Sequence, residues 1–194
     1  MRKPIHQKTF VFSLLSLCLS TSALGAGFRQ HGAHVHGYVT YNIAQDHNQL
    51  IIDIFSPGMD IVGFEHDPKT TQEKQAIQRA MELFKDYSSI IDIPSQAQCS
   101  IASNNTNIIK SSPNDILSKK ENGKIHNPFV DHSTHANFEI EYLFNCDNPE
   151  QLNTISTYWF QHFPATKFIT ANHITDLKQG ADELSKNQTK IHIN

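Results

Sequence analysis

Between Val35 and Phe55 the chain reads VHGYVTYNIAQDHNQLIIDIF, and the fold is decided there. Val35, Val39, Tyr41 and Ile43 recur at even spacing, which predicts a strand over Val35 to Ile43. Asp46-His47-Asn48 reads as a polar turn. Leu50 to Phe55 is a second strand with a nearly continuous apolar run. The two are expected to pair as an antiparallel hairpin, although the tight Asn-Gly turn is missing. In that register His34 and His36 share one strand face, with Tyr38, Thr40 and Asn42 behind them. His31 lies just outside, where Gly32 lets the chain turn back toward the same face.

Further along, Ser56-Pro57-Gly58 ends the second strand, and Ile61 to Pro68 reads as an apolar loop or short turn. Thr70 and Glu73 carry capping-box spacing. From Gln72 to about Asp86 the positions Ala76, Ile77, Ala80, Met81 and Phe84 mark one face of a helix. A short strand is expected over Ala97 to Ala102, then a polar linker over about 104–134. From His135 to Cys146 alternation resumes. Ala136, Phe138, Ile140, Tyr142 and Phe144 take one side, and His135, Asn137, Glu139 and Glu141 the other. Asn148 and Pro149 look like a helix start, and Leu152, Ile155, Trp159 and Phe163 extend it to Pro164. Lys167 to Ile174 and Thr189 to Ile193 are expected strands, with a polar turn at Gln179-Gly180-Ala181 between them. The pattern predicts an α+β fold: a single domain with a mainly antiparallel sheet, two principal helices and one disulfide.

Toward the N terminus, Arg2, Lys3 and Lys8 precede a short apolar core from Phe10 to Leu19 and small residues through Ala26. This predicts a signal peptide over 1–26 and a domain over 27–194. The apolar run is too short to span a bilayer. Cys18 follows Leu17 rather than a small residue, which argues against a lipid anchor. Cleavage would remove three basic and no acidic residues, taking the formal charge from -3 to -6. An acidic chain without a basic stripe argues against nucleic acid as a partner. Export to an oxidising compartment favours a disulfide between Cys99 and Cys146. The rival reading makes them soft metal ligands, but they lack Cys-x-x-Cys spacing.

Three histidines within the six residues 31–36 are the densest functional cluster. Neutral imidazole is the commonest zinc ligand, and zinc takes about four ligands. The candidate metal ligands are His31, His34, His36, His66 and His135, with Glu65, Asp67, Glu139 or Glu141 as oxygen donors. The alternative for His66 is an imidazole bonded to the helix start at Thr70, and for Glu139 and Glu141 a solvated strand face. The alternative for the first cluster is a histidine-rich terminus that binds nothing specific. His126 and His132 could gather metal loosely on the linker; His47, His162, His173 and His192 are scattered. Trp159, Phe160 and Phe163 read as core. No zincin motif, nucleophile elbow or phosphate-cradling loop is present.

Taken together, His31 to Gly37, Ser56-Pro57, Val62 to His66, Pro68, Glu73-Lys74, the Cys99 segment, His135 to Cys146 and Phe160 to Pro164 resemble the ZrgA-like family of periplasmic zinc-binding proteins. The resemblance covers essentially the whole chain after residue 26. It implies Zn(II) as the bound ion, a periplasmic location, and delivery of zinc toward a zinc ABC importer. Members often carry a long linker rich in His and Asp. Here Ser103 to Thr134 is poor in both, so the resemblance extends to an ordered site and not to a high-capacity scavenging linker. The expected activity is reversible binding, weakening as pH falls through the imidazole range near about 6.5. Two other classes stay open: a zinc hydrolase with an open three-histidine site and Glu139 or Glu65 as base, and a copper-handling protein.

Overall fold

A computed structural model describes residues 35–111 and 135–193. The segment read as a signal peptide, together with His31, His34, His126 and His132, lies outside the described residues. The first hairpin forms as expected. β1 (Tyr38–Asp46) and β2 (Gln49–Pro57) pair antiparallel, with Ile43 opposite Ile52. The turn that replaces Asn-Gly places His47 at φ 53°, a left-handed position that histidine tolerates better than branched residues do. β1 starts later than the alternation suggested. Gly37 adopts φ 87°, and a 3.2 Å bond from the Tyr38 N–H to the Val35 carbonyl closes a turn ahead of the strand. His36 therefore sits in that turn rather than on a strand face.

Beyond β2 the chain makes one short helix, α1 (Gly58–Val62), where a loop or turn was expected. Gly63 ends it at φ 83° with its N–H on the Met59 carbonyl. α2 (Thr71–Lys85) carries the full capping box: Thr70 Oγ1 accepts the Glu73 N–H, and the Glu73 carboxylate accepts the N–H groups of Thr70 and Lys69. Those two bonds hold Glu73 below its usual carboxylate range. Ala80 and Phe84 are buried on the apolar face of α2.

β3 (Ile91–Asp92) is followed by β4 (Cys99–Ser111) and β5 (His135–Cys146), which form a long antiparallel pair. Cys99 lies opposite Cys146, and the two are joined by a disulfide. β4 reaches well into the stretch expected to be linker. Its polarity fits its place as an outermost strand, and its asparagines have work to do. Asn104 Nδ2 donates to the Phe84 and Lys85 carbonyls at the end of α2, satisfying groups a helix end leaves open.

The expected helix from Asn148 to Phe163 is broken into a 3-10 turn at Pro149–Gln151, β6 (Thr154–Thr157) and α3 (Trp159–His162). Thr154, Ile155 and Thr157 are β-branched and suit a strand. β6 is the middle of a three-stranded sheet between β3 and β9 (Lys190–His192). Asn148 does not cap with its side chain; its Nδ2 donates to the Gln96 carbonyl. Leu152, Ile155, Trp159 and Phe163 are all buried, so the spacing marked the core correctly but not the element. β7 (Phe168–Ile174) is as read, and β8 (Gln179–Leu184) occupies the expected turn region.

The large sheet has the order β4-β5-β2-β1-β7-β8, antiparallel throughout except for β1 and β7, which run parallel. The architecture is α+β, with one long helix and two short ones among the described residues. One face of the sheet is apolar. Tyr41, Ile52, Ile54, Phe138, Ile140 and Ala171 are fully or almost fully buried there and join one core with Phe84, Trp159, Ile155 and Ile191. The Phe84 ring stacks on Trp159 at 6.0 Å, and Tyr41 meets Trp159 edge-on at 6.0 Å. Register then places four strand ends along one rim. Thr40 faces Phe55, Pro57 faces Asn137, and Tyr38 faces Phe168, so β1, β5 and β7 begin where β2 ends.

Candidate metal centre

That rim gathers residues far apart in the chain. His36 precedes β1, Glu65 lies beyond α1, and His135 is the first residue of β5. The Ala136 N–H donates to the Glu65 carbonyl at 3.0 Å, which lays the 64–66 segment against the start of β5. Gly58 makes the approach possible, since a Cβ there would meet the Ala136 and Phe64 carbonyl oxygens at 2.8 Å. The Glu65 side chain consequently turns inward and is only 8% exposed, between His36 at 52% and His135 at 35%.

The carboxylate holds one imidazole on each oxygen. Oε2 pairs with Nδ1 of His135, and Oε1 lies 3.1 Å from Nε2 of His36. The second contact has ion-pair distance but not hydrogen-bond alignment, so Oε1 is a buried oxygen without a hydrogen bond among the described residues. A buried carboxylate needs a positive partner. Two imidazoles supply that charge if they carry protons, or they can join the carboxylate as neutral ligands around a divalent cation. Nitrogen and oxygen are donor types that zinc accepts, and here they come from three separate chain segments.

His36 is held from behind. Both oxygens of Asp60 accept the Gly37 N–H, at 2.8 and 3.0 Å, and the Gly37 carbonyl accepts the Lys167 and Phe168 N–H groups at 2.8 and 3.0 Å. Thr166 Oγ1 donates to Asp60 Oδ2 at 3.2 Å and accepts the Trp159 indole N–H at 3.0 Å. Asp60 is only 4% exposed. Burial pushes its carboxyl above the ordinary value, with nearby Glu65 adding to the rise, against the downward pull of Gly37, Thr166 and His36. Sequence reasoning missed Asp60. The available signal was one acid inside the apolar run Gly58 to Val62.

The other candidates fall elsewhere. His66 turns away from Glu65: its ring stacks on Phe64 at 5.1 Å, Nδ1 lies 2.8 Å from the Asp67 carbonyl, and Nε2 lies 3.8 Å from Glu73 at the start of α2. Asp67 pairs with Lys110. Glu141 accepts Asn105 Nδ2 at 3.2 Å on the face of β5 away from the core, where Glu139 also lies. Cys99 and Cys146 are committed to their disulfide and supply no thiolate.

At the opposite rim Asp46, His47 and Asp176 form an exposed cluster whose ligand atoms all lie within 4.8 Å of one another. The Asp46 carboxylate, 2.5 Å from Nδ1, raises the His47 pKa above its ordinary value, and Asp176 adds to the effect. His47 reads as a scattered histidine in sequence because Asp176 joins it only through the β7–β8 turn.

Among the described residues no helix is long and apolar enough to cross a membrane. Residues 33–193 match the family model described as ZrgA family zinc uptake protein. No curated protein matches the chain.

Proposed function

Since the chain belongs to the ZrgA family of zinc uptake proteins, we propose that it binds Zn(II) reversibly at the rim formed by His36, Glu65 and His135. His31 and His34, which precede His36 in the sequence, are the further imidazole donors that the chain offers. The observation that carries this reading is the buried Glu65 carboxylate, set between two imidazoles with Oε1 lacking a hydrogen bond among the described residues. Zinc is the cargo here, and the protein's task is to hold it and let it go. The donor set suits that task, because protons and metal compete for the same ring nitrogens. His66 is not enlisted, because its contacts tie it to the start of α2.

In the cell the proposed role is a periplasmic buffer that passes zinc toward the binding component of a zinc ABC importer. Residues 1–26 would act as the export signal and 27–194 as the working domain. The Cys99–Cys146 disulfide agrees with an oxidising compartment.

Isothermal titration of chelator-stripped protein with zinc tests the site. One zinc per chain is expected, and Glu65→Gln should weaken affinity at least tenfold. Unchanged affinity in Glu65→Gln and in a His36→Ala, His135→Ala double variant would refute the assignment.

A further inference from the structure

We infer that Asp60 is the positioning residue of this centre, and that through Thr166 it ties the metal site to Trp159. The inference rests on the zinc reading above and adds a residue that touches no metal.

Asp60 sits where a single side chain can fix the direction of His36. The imidazole hangs from a turn whose third residue, Gly37, has φ 87°; backbone groups bond the Gly37 carbonyl and the Tyr38 N–H, which leaves the Gly37 N–H to be held by a side chain. Asp60 supplies what is missing by taking the Gly37 N–H on both oxygens. Its carboxylate is then occupied: Gly37 uses both oxygens and Thr166 shares Oδ2, so its role is support rather than ligation. Thr166 in turn accepts the indole N–H of Trp159. Trp159 is fully buried and is the chain's single tryptophan. A continuous line of hydrogen bonds thus runs from Trp159 through Thr166 and Asp60 to the peptide beside His36. Groups that orient metal ligands typically change metal affinity by about 10–100-fold when altered.

Two consequences follow. Removing the Asp60 contact should loosen the Gly37 turn and weaken zinc binding without abolishing it. Filling the site should alter the Trp159 environment, so that tryptophan emission reports zinc occupancy. The test compares the full chain with Asp60→Asn, Thr166→Val and Glu65→Gln. Zinc affinity is measured by calorimetry, occupancy by tryptophan emission, and Gly37 protection by amide hydrogen exchange.

Wild-type protein should bind zinc with a change in emission. Asp60→Asn should retain one site with affinity reduced about 10–100-fold and faster Gly37 exchange. Thr166→Val should keep most of its affinity but lose most of the emission change. Thr166→Val keeps the volume and removes only the hydroxyl; a thermal melt checks that it folds, and it then keeps the proposal testable where Asp60→Asn fails to fold. If both variants bind and report zinc as the wild type does, the positioning role is refuted while the zinc reading stands. An affinity loss in Asp60→Asn with unaltered Gly37 exchange, and no effect of Thr166→Val, would make Asp60 a ligand and overturn the proposal. Wild-type protein that binds no zinc, with Glu65→Gln indistinguishable from it, would sink the zinc reading and this proposal together.

Discussion

Gly58→Ala is a one-methyl perturbation aimed at the seam on which the centre depends. The added Cβ would lie 2.8 Å from two backbone oxygens, those of Phe64 and Ala136, and 3.6 Å from Glu65 Cγ. Neither oxygen belongs to a side chain that can swing away, so the 64–66 segment and the start of β5 must move apart. Forcing extra methylene volume into a packed site costs roughly 1–3 kcal/mol. The helical position offsets up to about 1 kcal/mol of that, since alanine is the better helix former. A net loss of about 1–2 kcal/mol is expected, and at about 2–4 °C per kcal/mol for a chain of this size Tm should fall by about 2–8 °C. The displaced groups matter for binding as well. Phe64 precedes Glu65 and Ala136 follows His135, so separating them pulls the carboxylate from its imidazole. On the proposed reading zinc affinity should fall about tenfold or more. Thermal melts with and without zinc, followed by calorimetric titration, measure both effects. A variant that melts at or above the wild-type temperature with the same zinc affinity would refute the close-approach reasoning.

Two further outcomes concern the body of the fold. Replacing Cys99 and Cys146 together with serine opens a loop closed over a sequence separation of 47. The chain-entropy model gives a loss of about 4 kcal/mol, a shift of more than about 1 M in the urea midpoint, and an unmoved midpoint would contradict it. His173 is only 4% exposed, with Gly180 against its ring and no hydrogen bond on Nδ1 among the described residues. Burial holds its pKa below the ordinary imidazole value, with Lys178 helping and Asp182 opposing. The unfolded chain therefore takes up a proton near about pH 6.5 before the folded chain does, and stability is lost as pH falls through that value. Urea midpoints at pH 7.5 and 5.5 should converge in His173→Gln relative to wild type; equal acid losses would show that His173 contributes nothing.

Much of the fold was legible because it rests on local chemistry. Alternation from Val39 to Ile43 and from Phe138 to Phe144 shows its period within a few residues, and the Thr70–Glu73 box satisfies its own bonds there. What was not legible depends on partners distant in sequence. β6 reads as helix because Leu152, Ile155 and Trp159 are buried at helical spacing, and only β3 and β9 on its flanks make the strand possible. β4 reads as linker because an outermost strand tolerates polar residues, and its asparagines bond to α2 and β5. The centre divides in the same way. His36 and His135 stand out by residue type, but that Glu65 and not its neighbour His66 lies between them goes with a backbone bond from Ala136 to the distant Glu65, which no spacing encodes.

The parallel pairing of β1 with β7 has a consequence for the order of assembly. Every other neighbour in the large sheet is antiparallel, yet the fourth and fifth strands in its order, β1 and β7, run parallel and join Tyr38 to Phe168. A chain made from its N terminus leaves one flank of β1 bare until synthesis has passed Phe168. A product truncated before Phe168 would display that row of unsatisfied amides and carbonyls as a template for sticking to other chains. Closing so distant a contact is also slow. Folding of this molecule should therefore be gated by its last strands and not by the local β1–β2 hairpin.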